Sequence, residues 1–173
     1  DDGLRVATTA RNVGDTDLPY AHGQHPYLSP GAGPIDECVL EFDAATRIVT
    51  DPERQLPTGR EATECTDFDF RGGRMLRDLA IDYAFTDLGR DVDGRAWTRL
   101  TGADGRAAEL WVDGSFGYVE LFTGDTLAPA RRRTGLGVEP MTAPPNAFAT
   151  GQDVIRVAPG DAAVTVWGAR LAG

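Results

Sequence analysis

Short apolar runs separated by frequent turn signals make up most of the chain. Apolar and polar residues alternate from Leu4 to Asn12, ahead of a turn at Gly14-Asp15. Residues 38–42 and 47–49 are expected to form a second pair of strands. Further segments of strand length are residues 83–88, 97–100, 107–112 and 118–123. Turn signals at a spacing of about 8 to 12 residues predict an antiparallel β protein.

Glycine-containing turns separate these segments. Asp93-Gly94 and Asp104-Gly105 are typical of type I′ hairpin turns, which need positive φ angles. We expect them to divide a meander of consecutive strands. Near the end of the sequence, residues 154–157 and 163–169 are predicted to form a hairpin across Pro159-Gly160-Asp161.

Helical periodicity is weak throughout the sequence. Apolar residues do not recur at helical spacing for more than about two turns, so any helices are expected to be short. Residues 74–79 are the one candidate. A length of 173 residues corresponds to one domain. Because two sheets bury their apolar faces on each other, the pattern predicts a single all-β domain over residues 1–173, an antiparallel β-sandwich.

The composition narrows the choice of partners and compartment. Asp and Glu number 27 against 17 Lys and Arg, which gives a formal net charge of −10. Such a surface repels phosphate backbones and anionic lipids, so neither nucleic acid nor a membrane is expected as a partner. Cys38 and Cys65 lack the spacing of a zinc site or a disulfide framework. We expect a soluble, cytoplasmic protein.

Both histidines of the sequence, His22 and His25, stand in one glycine-containing loop. A metal site is disfavoured because no third ligand has a clear spacing to this pair. Two interpretations remain open from the residues alone. The histidines either cap backbone groups of the loop, or one of them is a general acid, since the imidazole pKa of about 6.5 lies near neutral pH.

Two acidic residues stand among apolar neighbours. Glu139 ends an apolar strand and precedes the proline-rich stretch 140–148, and Asp82 lies between Ile81 and Tyr83. A buried acid must be hydrogen-bonded, charge-paired or functional. The alternatives are a solvated residue at the sheet rim for Glu139 and a cap at a strand start for Asp82.

Tryptophans and a run of arginines have simpler interpretations. Trp97, Trp111 and Trp167 lie in strand patterns, and at least two of them are expected in the core. Arg131-Arg132-Arg133 is expected to be a solvated surface run, with binding of a sugar phosphate as the alternative.

A series of short motifs resembles the aldose 1-epimerase (galactose mutarotase) family, and the order of the motifs matters more than any one of them. They are Gln24-His25-Pro26-Tyr27-Leu28 within residues 12–28, Leu56-Pro57-Thr58-Gly59, Asp69-Phe70-Arg71, Ile81-Asp82-Tyr83-Ala84-Phe85, Val119-Glu120-Leu121-Phe122-Thr123-Gly124, and residues 139–148. The resemblance covers nearly the whole chain and corresponds to the C-terminal half to two-thirds of the family's sequences.

The resemblance implies a galactose mutarotase-like sandwich and an isomerase that interconverts the anomers of free aldohexoses such as galactose or glucose. By the same resemblance, Glu139 is the general base, His25 the general acid and Asp82 a ligand of a substrate hydroxyl. General acid–base ring opening needs no metal and no cofactor. The alternatives are a non-catalytic carbohydrate-binding module on the same fold, or an epimerase of hexose 6-phosphates, for which the arginine run is the only hint.

The sequence departs from the family in its length. Family members are about twice as long, and nothing here matches the arginine and second histidine of their earlier half. We therefore expect a fragment that lacks the N-terminal part of the fold. Half of a sandwich exposes sheet edges and apolar surface. The expected partner, besides a monosaccharide, is a companion chain with the missing half or a second copy in a self-associated dimer.

Overall fold

A computed structural model describes residues 3–173 of the chain. Over these residues the chain forms short strands joined by turns. The strands are β1 (Leu4–Arg11), β2 (Leu18–Tyr20), β3 (Tyr27–Leu28), β4 (Val39–Phe42), β5 (Ala44–Thr50), β6 (Pro57–Ala62), β7 (Phe70–Met75), β8 (Asp82–Leu88), β9 (Ala96–Thr101), β10 (Ala107–Val112), β11 (Tyr118–Phe122), β12 (Leu136–Met141), β13 (Ile155–Val157) and β14 (Ala162–Ala172).

Two six-stranded antiparallel sheets form the two layers of the molecule. The first sheet has the order β1-β14-β10-β9-β4-β7, and the second has the order β3-β12-β11-β8-β5-β6. A separate two-stranded sheet pairs β13 with β2. Leu40 and Leu100 of the first sheet and Phe85, Leu121 and Val138 of the second share one buried cluster. The predicted all-β antiparallel sandwich is therefore confirmed.

Several strands were predicted correctly, but their neighbours were not. β4 and β5 follow each other in sequence and lie in different sheets, so they do not form the expected pair. The Asp93-Gly94 turn likewise joins β8 of the second sheet to β9 of the first. The β9–β10 hairpin is confirmed, with the φ angle of Gly105 at +83°. Asp104 of the same turn does not have a positive φ, so the turn is not type I′.

The predicted C-terminal hairpin is wrong. β13 pairs with β2, whereas β14 pairs with β1 and β10. Asn12 explains the separation, because its backbone N–H donates to the carbonyl of Asp161 at 2.9 Å and its carbonyl accepts from the N–H of Gly160 at 3.0 Å. The turn expected to close a hairpin is therefore attached to the end of β1. An eight-residue register with β1 then holds β14.

The predicted helix at residues 74–79 is also wrong. β7 occupies the first part of this segment, and its backbone then pairs with the segment before β4: the N–H groups of Leu76 and Arg77 donate to the carbonyls of Cys38 and Asp36. The helices that do form are short, as expected. They are the α-helix α1 (Ala147–Thr150) and a 3₁₀ turn, Ile35–Glu37.

Charged side chains of alternating sign cover the outer face of the first sheet. Arg99 contacts Glu41 at 3.7 Å and also contacts Glu109, and Arg170 contacts Glu109 at 2.5 Å. Trp97 stacks beneath Arg170. Both acids on this face, Glu41 and Glu109, therefore have an arginine partner.

The tryptophan prediction is confirmed. Trp111 and Trp167 are buried, and Trp97 is half-exposed, with its indole N–H on Asp91. Among residues 3–173, no helix combines the length and the apolar character that crossing a membrane requires.

Candidate active site

The backbone register of one loop places His25 opposite Glu139. The segment before β3 runs antiparallel to β12: the N–H of Gln24 donates to the carbonyl of Pro140 at 3.1 Å, and the N–H of Val138 donates to the carbonyl of Pro26 at 3.0 Å. The residues between these two bonds are His25 and Glu139. Their side chains meet, with Nε2 of His25 at 3.0 Å from Oε1 of Glu139.

Aromatic contacts hold the imidazole over the sheet. The ring of His25 stacks on Tyr27 at a centroid distance of 4.9 Å and meets the ring of Phe122 edge-on at 6.3 Å. The side chain of His25 is 52% exposed, while that of Glu139 is 16% exposed. The imidazole of His25 is therefore the more accessible member of the pair, and the carboxyl group of Glu139 is the more buried one.

Gly137 makes room for the carboxyl group of Glu139. The two residues share a face of β12, because successive side chains of a strand alternate. A Cβ atom at Gly137 would lie 3.2 Å from Oε1 of Glu139 and 3.2 Å from Cβ of Phe122. Such contacts are tighter than ordinary van der Waals packing, so a side chain at this position would displace the carboxyl group.

Asp82 and Glu120 lie on the same face of the second sheet as Glu139. Glu120 on β11 pairs directly with Glu139 on β12, and Phe122 pairs with Asp82 on β8. The alternate residues of β11, Val119 and Leu121, point into the core. Asp82 and Glu120 lie close enough for each to affect the pKa of the other. The structure thus places two of the predicted residues, Glu139 and Asp82, on one face of the second sheet, with His25 in contact with Glu139, and adds Glu120 to that face.

Burial and mutual repulsion keep protons on these acids at unusually high pH. Burial, with a contribution from the charge of Asp82, raises the pKa of Glu139 to about 7. Burial and the charges of Glu139 and Asp82 raise the pKa of Glu120 to about 7. Burial also raises the pKa of Asp82, against the opposing effects of neighbouring Glu120 and of the charge of His25. Carboxyl groups in this state can exchange protons near neutral pH.

Arg133 is not the solvated residue that its sequence context predicts. It is 9% exposed, and its guanidinium contacts Asp36 and Asp125, the latter at 3.1 Å. It also donates to the carbonyls of Arg77 and Leu79. Arg133 therefore ties together the loops around the start of β8. Arg131 and Arg132 are exposed, as expected.

The start of β8, which presents Asp82, is fixed by a further set of bonds. The backbone N–H of Ile81 donates to the Thr123 hydroxyl at 2.9 Å, and the N–H of Thr123 donates to the carbonyl of Ile81 at 3.0 Å. The Thr123 hydroxyl also donates to Asp125, a partner of Arg133. Asp82 is thus attached to a rigid backbone segment.

His22 has its own partners. Its Nδ1 lies 2.7 Å from the Thr165 hydroxyl, and its Nε2 lies 2.9 Å from the side-chain nitrogen of Gln24. Burial lowers its pKa. Both ring nitrogens of His22 contact side chains rather than backbone groups, so the capping interpretation does not describe His22. Within residues 3–173, no group of three or more His, Cys, Asp or Glu side chains is arranged to hold a metal ion.

A second polar cluster on the same face was missed in the sequence. The phenol of the buried Tyr118 donates to Asp153 at 2.5 Å and accepts from Gln152 at 3.2 Å and Arg60 at 3.4 Å. Tyr118, Glu120 and Phe122 are alternate residues of β11. Once Val119 and Leu121 are assigned to the core, the alternation alone places all three on the open face.

Cavity size does not single out this face of the second sheet. A cavity of about 260 Å³ opens beside Asp82 and Phe122, but His25, Glu120 and Glu139 do not line it. A larger one, about 420 Å³, lies between residues 29–38 and the turn at residues 102–106. The larger cavity contains no His–carboxylate contact, so the chemistry of the side chains, rather than volume, marks the candidate site.

Several solved structures superpose on nearly the whole of this chain. A GalM/aldose epimerase homologue from Caenorhabditis elegans superposes with a TM-score of 0.79 at 18% identity, over 98% of this chain and 56% of that one. A galactose 1-epimerase from Lactobacillus acidophilus gives 0.73 at 17% identity, over 99% and 54% of the two chains. The fold is that of the galactose mutarotase-like proteins.

Sequence similarity to known proteins is weaker than the similarity of fold. An uncharacterized Escherichia coli protein, YihR, is 29% identical over 153 residues, which cover 88% of this chain and 46% of that protein. No protein-family model matches the chain. The chain spans about half the length of the proteins that it matches.

The protonation of Glu120 has a measurable effect on stability. An unfolded glutamate loses its proton near pH 4.5, whereas Glu120 in the folded protein keeps it to about pH 7. Between these values the folded state binds more protons, so stability falls as the pH rises. Glu120→Gln removes this loss. We expect the Tm of Glu120→Gln minus the Tm of wild type to be several degrees larger at pH 8 than at pH 5.

Thermal unfolding at both pH values measures this difference. Glu53→Gln is the matched control, because Glu53 is exposed in the turn before β6 and should show the same Tm difference at both pH values. A pH-independent difference for Glu120→Gln would mean that Glu120 ionises normally.

Proposed function

We propose that the chain carries the catalytic pair of an aldose 1-epimerase that interconverts the α and β anomers of free aldohexoses such as galactose or glucose. The contact of 3.0 Å between His25 and Glu139 supports this function most directly. It joins a group that donates a proton to one that accepts a proton, on a sheet face that also carries the hydrogen-bonding side chains of Asp82 and Glu120. The mutarotase-like fold supports the same class of enzyme.

Ring opening of a pyranose needs two proton transfers. Glu139 takes the proton of the C1 hydroxyl, and the O–H electron pair forms the C1 carbonyl. The bond from C1 to the ring oxygen breaks, and that oxygen takes its electron pair and a proton from His25. Rotation about the C1–C2 bond presents the other carbonyl face, and the reverse transfers close the ring and restore both residues. Atoms and charges balance without a redox partner.

The properties of the two groups suit these roles. A base is most effective when its pKa lies near the working pH, and the pKa of Glu139 is raised to about 7. Nε2 of His25 lies 3.0 Å from Oε1 of Glu139, so both groups are within hydrogen-bond reach of the same small substrate. Asp82 accepts a hydrogen bond from a sugar hydroxyl and so places the ring between the pair.

Two alternative functions receive less support. For an epimerase of hexose 6-phosphates, the sequence hint was the arginine run, but Arg133 is engaged by Asp36 and Asp125. The acids on this face of the second sheet also repel a phosphate group. A carbohydrate-binding module without turnover is compatible with the same fold, and variants of the catalytic pair distinguish it from an enzyme.

Removing either member of the pair should abolish turnover while preserving binding. Polarimetry of freshly dissolved α-D-galactose or α-D-glucose measures the rate of mutarotation. We expect the rate above buffer to fall by about 10²- to 10⁴-fold in Glu139→Gln and in His25→Asn. Sugar affinity should stay within about threefold in Glu139→Gln, because an amide keeps most of the hydrogen bonds.

Controls separate the possible outcomes. Glu53→Gln, at an exposed turn, should turn over sugar at the wild-type rate. Wild-type protein that binds sugar without accelerating mutarotation would support the binding module. Equal activity of Glu139→Gln and wild type would contradict the assigned base.

We further propose that the chain works with a companion chain that carries the other half of the sandwich, or with a second copy of itself. The support comes from apolar side chains along the edge of the first sheet. Leu4 is 56% exposed on the edge strand β1, and Val164 and Leu171 on the neighbouring β14 are 55% and 79% exposed. Edge strands and apolar surface of this kind are normally covered.

Light scattering coupled to gel filtration tests this association. We expect a mass above the 18.5 kDa of one chain, together with binding of a hydrophobic dye by whatever monomer remains. Leu171→Lys should shift the distribution toward monomer. A single monomeric species with a cooperative melt and no dye binding would contradict the proposal.

A further inference from the structure

Two aromatic residues flank Gly137 on the face of the second sheet that carries Glu139. In the register of this sheet, Gly137 pairs with Tyr27 on β3 and with Phe122 on β11. The ring of His25 contacts both aromatic residues. It stacks on Tyr27 at a centroid distance of 4.9 Å and an interplanar angle of 26°, and it meets Phe122 edge-on at 6.3 Å.

The backbone explains why His25 and Tyr27 stack. The segment that contains them pairs with β12 through the bond from the N–H of Val138 to the carbonyl of Pro26 and through the register of Tyr27 with Gly137. In an extended segment, residues two apart present their side chains on the same side. The two rings therefore stand next to each other above the sheet.

Ring contacts are the main constraint on the imidazole of His25. Among residues 3–173, its hydrogen bonds, ion pairs and ring contacts are those with Glu139, Tyr27 and Phe122. A histidine that transfers protons is commonly oriented by a hydrogen bond on its second ring nitrogen. Within the described part of the chain, Nδ1 of His25 makes no such bond, whereas both ring nitrogens of His22 have partners. Aromatic packing must therefore orient the His25 ring.

Tyr27 is better placed than Phe122 for this task. A stacked neighbour restricts rotation of the imidazole, because turning the ring away from Glu139 separates the two stacked faces. The centroid distance of 4.9 Å lies within the range of about 4.5 to 7 Å that is favourable for aromatic pairs. Tyr27 is also 46% exposed, so its ring is not required to fill the core.

We propose that Tyr27 is a positioning residue for the proton transfers: its aromatic face holds the imidazole of His25 with Nε2 toward Glu139. This role rests on the proposed function. It depends on the ring of Tyr27 and does not require the hydroxyl group.

Comparing an aromatic with an aliphatic side chain at this position tests the role. Tyr27→Phe keeps the ring, whereas Tyr27→Leu removes it. For mutarotation, we expect Tyr27→Leu to lower kcat on the order of tenfold and to change KM by less than about threefold, because a displaced imidazole mainly weakens the transition state. Tyr27→Phe should keep both constants within about threefold of wild type.

The other histidine supplies a matched control. Tyr20 stacks on His22 at a centroid distance of 6.3 Å, so Tyr20→Leu removes a ring from the histidine without an assigned role and should keep the wild-type kcat. A Tyr27→Leu variant with the kcat of wild type would overturn the proposal. A loss in Tyr27→Phe as large as that in Tyr27→Leu would also overturn it, because the hydroxyl group would then be responsible. Circular dichroism checks that each variant is folded.

Proton NMR spectroscopy of the wild-type protein provides a readout that needs neither turnover nor a folded variant of Tyr27. The stack predicts a nuclear Overhauser effect between the ring protons of Tyr27 and those of His25, whose signals are identified by their loss in His25→Asn. If this effect is absent, the proposal fails, whatever the activity. If the effect is present but wild type shows no mutarotation, the proposed function fails and the role of Tyr27 fails with it.

Discussion

Three carboxyl groups and one imidazole share a half-buried face of the second sheet, and the behaviour of the site follows from how they divide their protons. Burial raises the free-energy cost of ionising each carboxyl group there. Each carboxyl group that is ionised raises that cost further for its neighbours. Two such charges roughly 5 Å apart repel by about 3 kcal/mol at an effective dielectric constant of about 20. This is enough, together with burial, to bring glutamates to a pKa of about 7, where proton transfer is easiest at neutral pH.

The backbone maintains this unfavourable arrangement. The bonds of residues 24 and 26 to β12 fix His25 opposite Glu139, and Gly137 leaves space for the carboxyl group. Arg133 anchors the loops next to Asp82. In the first sheet, the buried acid Glu109 is instead neutralised by two arginine partners. Within residues 3–173, no arginine forms an ion pair with Asp82, Glu120 or Glu139 of the second sheet, a pattern common at sites that exchange protons.

Much of the fold could be predicted from local pattern, but the site could be predicted only in part. Turn signals and short apolar runs located β1 and β9 to β11; burial alternates along β1 and β9, whereas β10 is buried on both faces. The layer of each strand depends on distant contacts, so the separation of β13 from β14 by Asn12 was not visible locally. His25, Glu139 and Asp82 came from the family resemblance. Glu120 stood within a quoted motif, but its significance required the register with Glu139.

If His25 and Glu139 exchange protons with a sugar rather than only bind it, the anomers of that sugar interconvert faster in the presence of the protein. Exchange NMR spectroscopy at anomeric equilibrium tests this most directly, because it detects interconversion of the α and β anomeric protons of galactose or glucose. We expect exchange cross-peaks between the anomeric protons when the wild-type protein is present in its associated form. These cross-peaks should be lost with Glu139→Gln. If the sugar signals broaden on binding but the anomers do not exchange, the catalytic role of His25 and Glu139 is contradicted.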